Sequence, residues 1–183
     1  MIEKPMQWDS ITPIMGGPQQ QLPAGGYVCK IVGAVAGKSR AGNQQIVLAL
    51  EIAEGEHAGY FSDAFEHRKQ YNPDATWPHS GCYYQRTQGD FNALGRFKGM
   101  ITLIEHENPG YTWDWNEKSL IGKKVGAVFG EESYIGNDNK EHVGIRCAYL
   151  REVEGVEDAQ IPKRREAQQT NTGFASSADD IPF

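Results

Sequence analysis

The stretch from Glu66 to Gln88 concentrates the side chains of this 183-residue chain that suit contact with flat, charged ligands. Tyr71, Trp77, Tyr83 and Tyr84 are interleaved with Arg68, Lys69 and Arg86; Pro73 and Pro78 punctuate the run, and its only acids are Glu66 and Asp74. Rigid π-faces beside guanidinium and ammonium groups are what sequence-tolerant binding of single-stranded nucleic acid requires. Each stacked base contributes about 1–3 kcal/mol, and phosphate contacts add a salt-sensitive share. The competing reading is a long loop pinned by its own aromatics. His79 and Cys82, with His67 upstream, have the right types to start a metal site, but the second spaced pair that zinc sites carry does not follow. Gly33-Ala-Val-Ala-Gly37-Lys38-Ser39 approaches a phosphate-binding P-loop, yet three residues separate its glycines where about four are needed. Turn and strand formers follow it where a helix should open, so no helix N-terminus is on offer for a phosphate. The remaining acids are scattered without a recurring ligand spacing. No catalytic centre, metal or cofactor is expected.

The last five residues, Asp179-Asp180-Ile181-Pro182-Phe183, combine two carboxylates, an apolar ending and a terminal carboxylate. A proline-stiffened Ile-Pro-Phe can fill an apolar pocket while Asp179, Asp180 and the carboxylate meet a basic rim. Thr170 to Ala178 is small and polar apart from Phe174, which predicts a flexible arm that leaves the tip available. A merely solubilising tail would account for the Asp pair but not for the apolar ending. The tip resembles the acidic C-terminal tip of bacterial single-stranded DNA-binding proteins, which ends in the same five residues. That resemblance implies that Asp179, Asp180, Ile181, Pro182 and Phe183 dock replication, recombination or repair proteins.

Composition sets the frame for both features. The length and 39% hydrophobic content predict one domain with an appendage. Net charge is −6, and residues 153–183 hold three basic against six acidic side chains, so half of the excess lies in the appendage. A mildly acidic body can still bind phosphate if its basic residues share a groove. No apolar run approaches the roughly 20 residues that span a bilayer, and no signal peptide is evident, so a cytoplasmic location is expected, with no membrane partner. Cys29, Cys82 and Cys147 are too few and too widely spaced for a disulfide framework and are expected as buried apolar residues.

Hydrophobic periodicity then gives the elements. Residues 1–22, rich in Pro, Gly and Gln, read as an irregular leader that Trp8 and Ile11 would pin to the body. Strands are expected over 27–36, with Cys29, Ile31 and Val35 on one face, and over 44–54, with Ile46, Leu48, Leu50 and Ile52 alternating on one side. Together they form a hairpin. A third strand is expected over 60–65, with Tyr60 at its start, and then the pattern breaks across the aromatic-basic segment. Asp90 is a plausible N-cap for a helix to about His106, whose stripe Phe91, Leu94, Phe97, Met100, Ile101 and Ile104 reads as core. Trp113 and Trp115 are likewise expected in packing. Strands follow over 123–132 and over 141–152, the latter with Val143, Ile145, Cys147 and Tyr149 on one face, and Tyr134 to Lys140 forms the turn between them.

Three strands, a helix and two strands predict a mainly β domain over 23–152 with the order of the oligonucleotide-binding fold, a five-stranded barrel. An α+β sandwich with the same element order is the alternative. In the barrel, the loops joining strands one and two, with Lys38 and Arg40, and strands four and five, with Tyr134 and Lys140, would border the binding face beside Tyr60 and the aromatic-basic segment. Residues 153–183 are expected as a flexible linker and tail, with Lys163-Arg164-Arg165 solvated. About 20 flexible residues would hold the tip roughly 25 Å from the body.

Leu22-Pro-Ala-Gly-Gly-Tyr27-Val-Cys-Lys-Ile-Val32, followed by Glu51-Ile-Ala-Glu-Gly-Glu-His-Ala-Gly-Tyr60-Phe61, resembles the N-terminal half of a family of bacteriophage proteins associated with replication and recombination. The resemblance covers roughly the first third of the chain and implies single-stranded DNA binding. A non-enzymatic protein that coats single-stranded DNA and recruits replication or recombination enzymes is therefore expected. A protein-only adaptor that captures host replication factors and a metal-dependent nuclease are the rivals, and homo-oligomerisation is left open.

Overall fold

Alternating apolar side chains build the centre of the molecule. The computed structural model describes residues 21–136 and 138–166, with Lys4, Met6 and Asp9 of the leader. The expected anchors Trp8 and Ile11, and the tip from Asp179 to Phe183, lie outside the described residues. β1 (Gly25–Lys38) and β2 (Gln44–Ile52) form the predicted hairpin, and Ile46, Leu48, Leu50 and Ile52 all enter the main core. β3 (Cys82–Arg86), β4 (Lys124–Ile135) and β5 (Glu141–Arg151) complete one antiparallel sheet in the order β3-β2-β1-β4-β5. The central strand divides its partners: residues 25–30 pair with β4 and residues 29–38 with β2. No ladder joins β3 to β5 among the described residues, so the sheet is open where a closed barrel was expected.

Two bulges re-sort the side chains that strict alternation had assigned. The register of β1 slips between Ile31 and Gly33, and beyond it Ala34, not Val35, shares the core with Cys29 and Ile31. An inserted residue flips the facing of all that follow. The ladder between β4 and β5 slips in the same way beside Val128 and Phe129, so Leu150 packs on the main core and Tyr149 on the opposite face.

The third strand is in a different place from the one expected. Tyr60 to Phe65 lies in a helix, α1 (Tyr60–Lys69), and β3 forms from Cys82 to Arg86, inside the segment read as irregular. The spacing of Phe61, Ala64 and Phe65 suits a helical stripe, and these are the buried residues of α1. Gly59, at φ 84°, supplies the left-handed turn before it but no side-chain cap. The cap comes from β2 instead: the Glu51 carboxylate accepts from Phe61 N at 3.1 Å, Ser62 N at 2.6 Å and Ile52 N at 2.8 Å. Burial of a large apolar side chain contributes roughly 1.5–3 kcal/mol, and Phe61, fully buried against Phe129, docks a helix that is otherwise largely polar.

α2 (Phe91–Glu107) starts where the sequence placed it, with Asp90 Oδ1 accepting from Ala93 N at 2.8 Å. Met100, Ile101 and Ile104 are buried and Phe97 packs against them. In the first turns Ala93 is buried but Phe91 and Leu94 are exposed, contrary to the reading of the whole stripe as core. Asn108 locks the far end by donating to Ile104 O and Lys124 O and accepting from Lys124 N. All three cysteines are buried. No described helix is long and apolar enough to cross a membrane.

The segment expected to be a linker from Val153 is packed as far as residue 166. It crosses the outer face of the sheet as a strap, burying Val156 and Ala159 against Val28 and Val128. Tyr149 Oη donates to Gln160 O at 2.8 Å, and Arg165 bridges β4 in parallel through Ser133 N to Arg165 O and Arg165 N to Glu131 O. Two strand glycines, Gly26 and Gly130, make room for it, and a third, Gly126, for the chain leaving β5. A Cβ at Gly26 would overlap the Val156 carbonyl, one at Gly126 would overlap the Glu152 carbonyl, and one at Gly130 would come within 2.7 Å of the Pro162 ring.

Candidate nucleic-acid interface

β3 carries the residues that the sequence singled out, and its pairing with β2 sorts them. Tyr83 and Gln85 lie opposite Leu48 and Ile46 on the core side, whereas Tyr84 and Arg86 lie opposite Val47 and Gln45 on the outer side. Tyr83 is therefore a packing residue: it lies against the core, its hydroxyl donates to Gln85 Oε1 at 3.3 Å, and burial pushes its pKa up to about 12. Tyr84 presents an outward ring, with its hydroxyl 2.6 Å from His79 Nδ1 and the Arg146 guanidinium 5.8 Å from its centroid.

Arg146 reaches this ring from β5 and ties β3 to the far edge of the sheet. Its Nη1 donates to Glu132 Oε1 at 3.1 Å, and Arg165 of the strap lies 3.6 Å from the same oxygen. Arg164 donates to Ser133 Oγ at 2.8 Å and faces Glu141 at 3.4 Å. Arg146 and Arg165 thus share the Glu132 carboxylate while Arg164 faces Glu141, so each of the three guanidinium groups lies beside a carboxylate that offsets part of its charge. Sequence reading missed Arg146, and took Lys163-Arg164-Arg165 as solvated. The alternation of Ile145 and Cys147 already turned Arg146 outward, but its neighbours come from strands too distant in sequence to be read there.

The two loops expected to flank the site have different settings. Arg86 Nη2 donates to Asn43 Oδ1 at 3.1 Å, which sets this cation against the loop carrying Lys38 and Arg40, both exposed. In the other loop, Tyr134 stacks on His142 at 5.7 Å, and Asp138 accepts from His142 Nε2, a contact that holds its carboxyl below the usual range. Lys140 is exposed there.

Other candidates are occupied or stand apart. Tyr60 accepts from Leu22 N at 3.2 Å and packs on Phe61, which makes it an anchor for the chain entering β1. Trp77 lies against Phe65 and the core, and its Nε1 is buried without a partner. Arg68, Lys69 and Tyr71 cluster at the exposed end of α1, with Lys69 over the Phe65 ring and Tyr71 against His67. Gln45, Val47 and Ala49, on the outer side of β2, are buried, so the middle of the sheet offers no open platform. Among the described residues no three metal-ligating side chains converge. No protein family model matches this sequence, and no curated protein matches it.

Proposed function

We infer that this chain binds single-stranded DNA with little sequence preference, in phage replication or recombination, and recruits other proteins through its C-terminal tip. The observation that carries this reading is Tyr84 on an outward strand face with Arg146 against its ring and Arg86 one residue pair along. An aromatic face, a guanidinium and a second cation in a row are the elements of a stacking platform with phosphate contacts. A five-stranded antiparallel sheet whose two edge strands meet through side chains is compatible with a partly open oligonucleotide-binding barrel. The two sequence resemblances support the same function, the tip supplying recruitment and the N-terminal third the phage setting.

Fluorescence titration against single-stranded and duplex oligonucleotides tests the binding, with a metal-dependent cleavage assay alongside. Single strands should bind with steep salt dependence, duplex more weakly, and neither should be cut. Tyr84→Ala and Arg146→Ala should each weaken single-strand binding, the tyrosine by about 1–3 kcal/mol, while the folded spectrum is retained. Equal affinity for duplex, or variants that bind like the parent, would rule the platform out.

A further inference from the structure

Away from β3, a cleft of about 810 Å³ opens between the end of α2 and the start of β4. Lys30, Lys123 and Lys124 line it with Asn108, Gly110, Tyr111, Thr112 and Gly122. Lys30 and Lys124 are directly opposite each other across the β1–β4 ladder, and both are exposed. Like charges at directly opposed positions destabilise a sheet, and the nearest compensation is the ion pair of Lys124 with Glu54. Lys123 is held over the Tyr111 ring at 4.3 Å. The two acids of the lining are engaged: Glu107 faces His106 at 3.5 Å, and Asp114 accepts from Ser119 Oγ at 2.8 Å and Asn116 N at 3.0 Å.

Beside the cleft stands Trp115, the neighbour of Asp114. It is 80% exposed and adopts a left-handed φ of 66°, so this bulky side chain is displayed to solvent at a backbone cost. Sequence reading had placed it in packing with Trp113. Trp113 does pack on the core, 6.2 Å from Trp115 between ring centroids.

We propose that the Lys30–Lys123–Lys124 cleft and Trp115 form a second contact for the same single strand, the lysines taking backbone phosphates and Trp115 stacking a base. This rests on the binding reading above and extends it: a strand long enough to leave the β3 platform is held at a second place, which lengthens the stretch one molecule occupies.

The test uses the full-length protein, Lys30→Ala/Lys123→Ala, Trp115→Phe and the control Lys98→Ala, titrated with oligothymidylates of increasing length at several salt concentrations. Thermal unfolding verifies that each variant is folded. The double variant should bind the shortest oligonucleotide like the parent but lose about tenfold on long ones, with a salt slope shallower by about 1.4 for two lost phosphate contacts. Trp115→Phe should remove the quenching that appears only with longer strands, and Lys98→Ala should match the parent. Unchanged length dependence and salt slope in the double variant would overturn the second contact and leave the β3 platform standing. Equal loss on short and long strands would overturn it too, by making the cleft the primary site. Failure of the parent to bind any length would overturn both.

Discussion

At the end of β2 the Glu51 side chain serves three backbone amides, two of them in the first turn of α1. Gly59, at the start of α1, makes no side-chain cap, so replacing Glu51 strands buried donors. Glu51→Ala should cost about 1–3 kcal/mol in denaturant unfolding, and Glu51→Gln less, since one oxygen remains. A second residue-scale expectation concerns pH. Burial raises Cys29 and Tyr83 to about 12 and raises Cys147 as well. Their unfolded counterparts lose protons near 8.5 and 10, so between those values and about 12 the native state binds more protons than the unfolded one. The contribution of these three groups is then constant below about pH 8.5 and is lost as pH rises toward 12, which unfolding melts across the alkaline range would record. The native thiols should also resist alkylation at neutral pH and react once the chain is unfolded.

Among the elements, the strap is where sequence and structure part most. Its residues are polar and breaker-rich, with Val156 and Ala159 too few to show a period, so nothing local announced that 153–166 is packed. The signal was in the strands it crosses: Gly26 and Gly130 interrupt β1 and β4 where the Val156 carbonyl and the Pro162 ring come close. Gly26→Val should therefore weaken the fold by about 1–3 kcal/mol or more, and truncation after Glu152 should lower the melting temperature by exposing Val28 and Val128. Melting curves check both, and values equal to the parent would mean that the strap adds nothing. By contrast, the hairpin, α2 with its Asp90 cap, and β4 and β5 were legible, because each has a long apolar period. The start of α1 reads as a strand since Tyr60-Phe61 has β propensity, and β3 is hidden in the segment that reads as irregular; the distant Glu51 carboxylate and pairing with β2 decide the two. The candidate site was half legible for the same reason. Tyr84 and Arg86 could be named, but which tyrosine faces outward depends on a register that no local pattern supplies.

For the whole molecule, binding DNA and recruiting partners should separate. Removing Asp179 to Phe183 takes away two carboxylates that compete with phosphate, so single-strand affinity should hold or rise slightly. Capture of replication proteins should fail, and Phe183→Ala should do most of that damage because the aromatic ring fills the pocket while the acids chiefly steer. Parallel pull-down and DNA titration read both; loss of DNA binding on truncation, or intact capture, would refute the division of labour. The strap bears on how such a tether would be loaded. Arg165 runs parallel to β4 at Glu132 and is fastened by two backbone hydrogen bonds and by the ion pairs of Arg164 and Arg165. A pull on residue 166 directed along β4 would strain these fasteners together in shear instead of peeling them one after another. The strap would then serve as an anchorage, passing such tension to β4 within the sheet.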